Sequence, residues 1–282
     1  METSERLLAE IAKNVATALE EDLGSGDLTA QLVPAGRAAR GVVVSREDAV
    51  LSGTDWFDAC FRQLDAQARV RWFAKDGAAI HADQTLCEID AETRALLTAE
   101  RTALNFLQLL SGTATATRQY VAAIAGTKAK IVDTRKTLPG LRLAQKYAVR
   151  CGGGHNHRLG LYDGILIKEN HIMSAGGVAP ALALAQRLAP KGVFIQIEVE
   201  TLAQLEEALD ANASMILLDN MEIDVMRRAV ALNAGRAVLE ASGGVSLARV
   251  RAIAETGVDR ISIGSLTKDV RAVDLSLRHV EK

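Results

Sequence analysis

Apolar residues recur at helical spacing through LLAEIAKNVATALEEDL (7–23), and GSGDLTA then breaks the pattern. GVVVSR (41–46), AVLSG (49–53), ARVRWFA (68–74) and QTLCEID (84–90) read as short strands, with DWFDACFRQL (55–64) as a helix among them. Strands interleaved with few helices predict a small α+β domain. A long helix follows over TRALLTAERTALNFLQLLSGTAT (93–115). From residue 130 the rhythm changes. KIVDT (130–134), GILIK (164–168), VFIQIEVE (193–200), SMILLDN (214–220), RAVLEASGG (236–244) and DRISIGS (259–265) are short apolar runs, each leading through polar residues into a helical or turn segment. With Lys168, Glu198, Asp219, Ala241 and Gly264 taken as strand ends, the steps are 30, 21, 22 and 23 residues, each about one βα unit. Continuous Val/Ile/Leu strands without alternation predict a parallel sheet covered by helices. Six or seven such units predict a TIM-like α/β barrel, incomplete because eight units take roughly 250 residues. A doubly wound open sheet is the alternative. The expected organisation is an N-terminal domain with its connecting helix (1–112), a barrel (113–268) and a C-terminal segment (269–282). The tail, DLSLRHVEK, is expected to return to the first domain as a strand or helix.

Composition narrows the class. A chain of 282 residues with 49% hydrophobic positions builds a core without disulfides. Balanced charge (33 Lys+Arg against 35 Asp+Glu) and 4% aromatic residues argue against a nucleic-acid partner, which calls for a basic excess or a stacking surface. No apolar run approaches the ~18 residues of a membrane span. METSERLLAEIAKNV (1–15) carries charges through its helical pattern and lacks a signal-peptide core. Cys60, Cys87 and Cys151 are odd in number and show no Cys-x-x-Cys pairing, so neither a disulfide framework nor a thiolate zinc site is expected. The expectation is an enzyme in a reducing, cytoplasmic compartment with no membrane contact.

In a parallel barrel the strand C-termini converge on the active-site face. Here they carry Asp133, Arg135 and Lys136, then Lys168, then Glu198 and Glu200, then Asp219 and Asn220, then Glu240 and Ser242. One charged strand end reads as a solvated terminus; five in succession read as a site, because each is costly to bury unpartnered. Arg135, Lys136, His157, Arg158 and Lys168 directed at one concave face imply an anion with more than one carboxylate or phosphate. Glu198 and Asp219, on later strands, suit Mg²⁺ or sugar hydroxyls, with neutralisation of the lysines as the alternative. SGG (242–244) and IGS (263–265) follow the last two strands and match a barrel phosphate site. GGGHNH (152–157) reads as a loop whose backbone approaches a ligand closely. A zinc site from His155, His157 and His171 is disfavoured, since i, i+2 residues share no helix face and Arg158 and Lys168 would repel a cation.

At these residues the block DTRKTLPGLRLAQKYAVRCGGGHNHRLGLYDGILIKENHI (133–172) closely resembles the signature of the quinolinate phosphoribosyltransferase family, the carboxylating nicotinate-nucleotide pyrophosphorylases. ALEEDLGSGDLTA (18–30), ERTALNFLQLLSGTAT (100–115), IEVETLAQLEEAL (197–209), ILLDNM (216–221), EASGGV (240–245) and GVDRISIGSLTKDV (257–270) carry the resemblance along nearly the whole chain. It implies an N-terminal α/β sandwich and an open, incomplete α/β barrel. It also implies conversion of quinolinate and phosphoribosyl pyrophosphate (PRPP), with Mg²⁺, to nicotinate mononucleotide, pyrophosphate and CO₂ in NAD synthesis. By motif, Lys136, Lys168, Glu198 and Asp219 would be catalytic. Arg135, His157, Arg158 and Lys168 would hold the quinolinate carboxylates, with Thr134 and Lys136 in the same pocket. Glu198 and Asp219 would meet ribose hydroxyls and, through water, Mg²⁺. Ser242, Gly243, Gly244, Gly264, Ser265 and Leu266 would surround the phosphate. Arg101 would reach a neighbouring subunit's site, implying a homodimer or hexamer; by itself it reads as an exposed helix arginine. Three rivals stand beside this reading: a pyridine-carboxylate phosphoribosyltransferase that does not decarboxylate, a non-catalytic binding paralogue, and a phosphosugar isomerase or lyase. The last needs a poised acid/base pair or a Schiff-base lysine.

Overall fold

The computed structural model describes residues 5–280; residues 1–4 and 281–282, which fall in the expected first domain and C-terminal segment, lie outside the described residues. The elements run α1 (Glu5–Leu23), β1 (Ala38–Ser45), β2 (Ala49–Val50), α2 (Thr54–Leu64), β3 (Arg69–Trp72), β4 (Ala79–Ile80), β5 (Thr85–Glu92) and α3 (Thr93–Ala123). There follow β6 (Lys130–Val132), α4 (Arg142–Cys151), β7 (Gly164–Ile167), α5 (Glu169–Ala175), α6 (Val178–Leu188) and β8 (Phe194–Val199). The chain ends through α7 (Leu202–Asp210), β9 (Met215–Asp219), α8 (Ile223–Asn233), β10 (Val238–Ser242), α9 (Leu247–Ala254), β11 (Arg260–Ser262), α10 (Ser265–Lys268) and β12 (Leu275–Val280). No helix among the described residues is long and apolar enough to cross a membrane.

The described residues divide into two units, the first comprising residues 5–118, 137–153 and 266–280. Its four-stranded sheet has the order β12-β1-β5-β3 and is antiparallel throughout. Helix α1 presents Leu7, Ile11, Val15 and Leu19 at four-residue spacing, one stripe that is buried together with Trp56, Phe57 and Phe61 of α2. Gly53 precedes α2 with φ +104°, and a Cβ there would lie 2.8 Å from Leu110 Cδ1, so both backbone and packing require glycine. Asp76 supplies the missing cap, accepting the Gly53 and Thr54 N–H groups at 3.0 and 3.3 Å. The tail forms β12, the sheet edge, pairing Val43 with Leu277. Of the expected 113–268 barrel, residues 113–118, 137–153 and 266–268 count with the first unit, 137–153 being the longest stretch. The reason is apolar burial, since Ala144, Tyr147, Ala148 and Cys151 of α4 join its core.

The second unit, residues 119–136 and 154–265, holds six parallel strands in the order β6-β11-β10-β9-β8-β7. Ile197, Val199, Ile216, Leu217 and Leu218 are buried without alternation, as a sheet covered by helices on its outer face requires. Thr201 begins α7 with a capping box, accepting the Gln204 N–H at 3.2 Å. No ladder among the described residues joins β6 to β7, so the barrel is open. The 154–156 stretch lies along β6 instead: His155 N–H donates to Ile131 O at 2.8 Å, and Asp133 N–H to His155 O at 3.1 Å.

Asp58, on the buried face of α2, accepts from Trp72 Nε1–H at 2.9 Å and pairs with Arg62 at 3.0 Å. Burial nevertheless pushes its carboxyl from 3.8 up to about 6. A raised folded-state pKa contributes stability below the unfolded value and loses it as pH rises through the folded value. In urea unfolding, the stability of the native chain relative to Asp58→Asn is expected to fall by on the order of 2 kcal/mol between about pH 4 and pH 7. A pH-independent difference would show that Asp58 ionises as it does in the unfolded chain.

Candidate active site

The C-terminal ends of the parallel strands surround a cavity of about 530 Å³. Thr134, Arg135 and Lys136 enter it after β6, Lys168 after β7, Glu198 and Asp219 from β8 and β9, and Ser242, Gly243 and Gly244 at the end of β10. His157 and Arg158 reach it from the β6–β7 connection. Gly264 stands just behind this wall, where a Cβ would lie 2.9 Å from Lys136 Cδ; glycine lets the lysine stem pass. Ser265 and Leu266 open α10 and do not line the cavity, and the Leu266 side chain is core. Arg101 is exposed on α3 in the first unit, whereas the cavity lining belongs wholly to the second. Glu200 and His155 are exposed and lie outside the lining.

The cation side depends on Asp133, which is wholly buried at the end of β6. One carboxylate oxygen accepts from Asn156 Nδ2 at 2.6 Å and the other from the His157 N–H at 2.8 Å. Arg158 then donates through Nη1 to the carbonyl of Gly164, the first residue of β7, at 2.9 Å. Between these points Asp163 closes a turn, accepting the Leu159 and Gly160 N–H groups at 2.8 Å each. The loop is therefore tied to both open edges of the sheet by side chains.

Like charges crowd on each wall. Burial, and then the charge of Arg135, hold Arg158 below the usual guanidinium value, with Asp163 opposing. Burial raises the Glu198 carboxyl, Asp219 and Glu200 add to it, and Lys168, 3.7 Å away, opposes. An anion between the arginines relieves the first repulsion; a cation or hydroxyl donors at the carboxylates relieve the second. The glycine corner is tight. Asn220 adopts φ +52° and donates through Nδ2 to Asp219 Oδ2 at 2.7 Å, orienting that carboxylate. Gly243, at φ +94°, lies so close that a Cβ would sit 2.1 Å from Asn220 Oδ1.

Residues 113–278 match the model for the quinolinate phosphoribosyl transferase C-terminal domain, and residues 27–111 match that for its N-terminal domain. The chain belongs to the quinolinate phosphoribosyl transferase family. Among curated relatives, the nicotinate-nucleotide pyrophosphorylase [carboxylating] of Mycobacterium leprae is 46% identical, with 93% of this chain and 95% of the relative aligned. A probable nicotinate-nucleotide pyrophosphorylase [carboxylating] of Bacillus subtilis is 41% identical over 91% of this chain and 89% of the relative. The solved nicotinate-nucleotide pyrophosphorylase of Francisella tularensis superposes with a TM-score of 0.94 at 44% identity, covering 96% of both chains.

Family membership leaves the supporting residues to be found in the structure. Asp133 reads in the sequence only as one more charged strand end, and its part in holding the loop is visible only in three dimensions. Gln196, wholly buried on β8, contacts His157 Nε2 at 2.7 Å. A signal for it exists, because within VFIQIEVE it shares a strand face with Glu198 and Glu200 at period two. Glu240, wholly buried in the cavity wall, stands 3.0 Å from Arg260 Nε, at ion-pair distance without hydrogen-bond alignment.

Asp133→Asn tests the loop tie. One of the two donors would then face an amide N–H₂, so stability should fall by roughly 1–3 kcal/mol. Limited proteolysis should find new cleavage within 154–163; unchanged stability and protection would show that the loop is held elsewhere.

Proposed function

We propose that the chain transfers the phosphoribosyl group of PRPP to quinolinate, releasing pyrophosphate and CO₂ and forming nicotinate mononucleotide for NAD synthesis. The observation that carries this reading is the partition of the cavity: guanidinium and ammonium groups on one wall, two carboxylates and a glycine corner on the other. A planar dianion suits the first wall and a phosphorylated sugar the second. Arg135 and Arg158 take the quinolinate carboxylates, Lys136 and Lys168 face both the acid and the pyrophosphate, and Glu198 and Asp219 accept from the ribose hydroxyls. Ser242, Gly243 and Gly244 receive the phosphate, with Gly264 directly behind that corner.

A loose displacement at the anomeric carbon needs positioning and charge stabilisation more than covalent help. The cation wall holds the pyridine nitrogen in line with that carbon, and the lysines neutralise the departing pyrophosphate. Alkylation leaves the ring cationic. The adjacent carboxylate can then depart as CO₂, its electron pair stabilised by the ring until a proton takes its place.

Glu198 and Asp219 fit a magnesium ion that keeps most of its waters: they are hard oxygen donors on neighbouring strands, too few for an all-protein cage. Mg²⁺ bound there would supply further charge neutralisation for pyrophosphate. We also propose a homodimer or hexamer in which Arg101 completes a neighbour's site, supported by its exposure outside the cavity's own unit. The three cysteines are free and buried, which suits a reducing cytoplasm.

Incubation with quinolinate, PRPP and Mg²⁺ should yield nicotinate mononucleotide and labelled CO₂ in equal amounts. Turnover of nicotinate without CO₂ would favour the non-decarboxylating rival, and no turnover the binding paralogue. Lys168→Ala is expected to cost about 2 kcal/mol in kcat/KM, the lower end for truncating a charge partner, because this side chain is 54% exposed. Near-normal turnover would remove it from the substrate contacts. Mixing the weakened Arg101→Ala and Lys168→Ala subunits should raise activity above that of either parent; properly mixed oligomers that stay at the parents' level would contradict a shared site.

A further inference from the structure

We infer that His157 acts from beneath the cavity as a positioning residue for Arg158, and that Gln196 selects the imidazole form this requires. The inference rests on the quinolinate reading of the cavity, and it differs from the role the family resemblance implies, in which His157 holds a carboxylate itself. The side chain of His157 is only 7% exposed, and both ring nitrogens are engaged within the protein. Nδ1 faces the backbone N–H of Arg158 at 2.7 Å, and Nε2 faces Gln196 Oε1 at 2.7 Å.

The hydrogen-bond chemistry admits one assignment. A backbone N–H is a fixed donor, so Nδ1 must present a lone pair. The proton of the neutral ring then sits on Nε2 and needs an acceptor, which is the Gln196 carbonyl oxygen. Turning the Gln196 amide over would set its N–H₂ against Nε2–H, two donors face to face. An imidazolium would repeat that conflict at Arg158. In this orientation Gln196 Nε2 is buried without a hydrogen-bond partner, so the amide's carbonyl end is the one that His157 engages. The surrounding charges agree: Glu240 Oε1 lies 3.8 Å from Nε2 and favours a proton there, while Arg260 beside Glu240 offsets its charge. Phe194 meets the ring edge-on at 5.4 Å and limits its rotation.

The consequence is mechanical. Asp133 holds the His157 N–H and His157 holds the Arg158 N–H, so consecutive backbone donors are fixed by two side chains. The Arg158 guanidinium is thereby delivered to the cavity wall from a fixed backbone.

Long-range ¹H–¹⁵N NMR of the unliganded protein, with the His157 signal assigned by its loss in His157→Asn, tests the ring state without substrate. Near pH 7.5 the ring should be neutral with its proton on Nε2; an Nδ1–H form or an imidazolium would overturn the inference. In kinetics, Gln196→Met, which keeps length and removes the acceptor, should raise the quinolinate KM roughly tenfold with a smaller change in kcat. Gln196→Glu restores an acceptor, but its charge beside Glu240 also favours the imidazolium, so it should recover part of that loss. His157→Asn, with an oxygen near the Nδ1 position, should likewise outperform His157→Ala. Equal behaviour of the Met and Glu variants would overturn the part assigned to Gln196. Absence of quinolinate turnover in the native chain would instead fail the proposed function, leaving the NMR result standing.

Discussion

A carboxylate removed from water at the end of β6 organises much of the second unit. Asp133 is tolerated there because each oxygen accepts a hydrogen bond, from Asn156 and from the His157 N–H. Those two contacts set the path of the loop, the loop sets the backbone of Arg158, and Arg158 reaches the first carbonyl of β7. One buried charge thus links the two strands of the sheet that have no ladder between them. Such an arrangement is sensitive by construction, since satisfied buried polar networks rigidify whereas half-satisfied ones are worse than apolar packing.

The charge pattern of the cavity follows from where each strand ends. Cations come from β6, the following loop and β7; carboxylates come from β8 and β9. Burial, and after it a like charge, disfavours the charged form on each side: Arg135 beside Arg158 on one, Asp219 and Glu200 beside Glu198 on the other. Residues poised this way cost stability in the free protein and gain it back from a ligand of opposite charge.

Much of this was legible in the sequence, because period and spacing report which residues end strands. The six parallel strands and the charged ends of β7, β8 and β9 follow from apolar runs stepped at the length of a βα unit. The limits have physical causes. Residues 137–153 belong with the first unit because α4 buries an apolar face there, and burial partners are not encoded in spacing. Leu266 follows the IGS run (263–265) directly, yet its side chain is core, as its hydrophobicity favours. Asp133 and Gln196 act through contacts spanning 24 and 39 residues. A pattern along the chain shows that such groups are polar among apolar neighbours, not which donor each one meets.

The open edge between β6 and β7 carries a consequence for how this cavity can change. Where two strands share a ladder, their separation is pinned by backbone geometry at roughly 4.8 Å, whatever the side chains. Here His155 pairs its backbone with β6, and the rest of the span to β7 is held by Asp133, Asn156 and Arg158 instead. The aperture of the cavity is thus written in replaceable residues. Divergence or engineering could widen or narrow it for a differently shaped aromatic acid while every strand pairing stays intact.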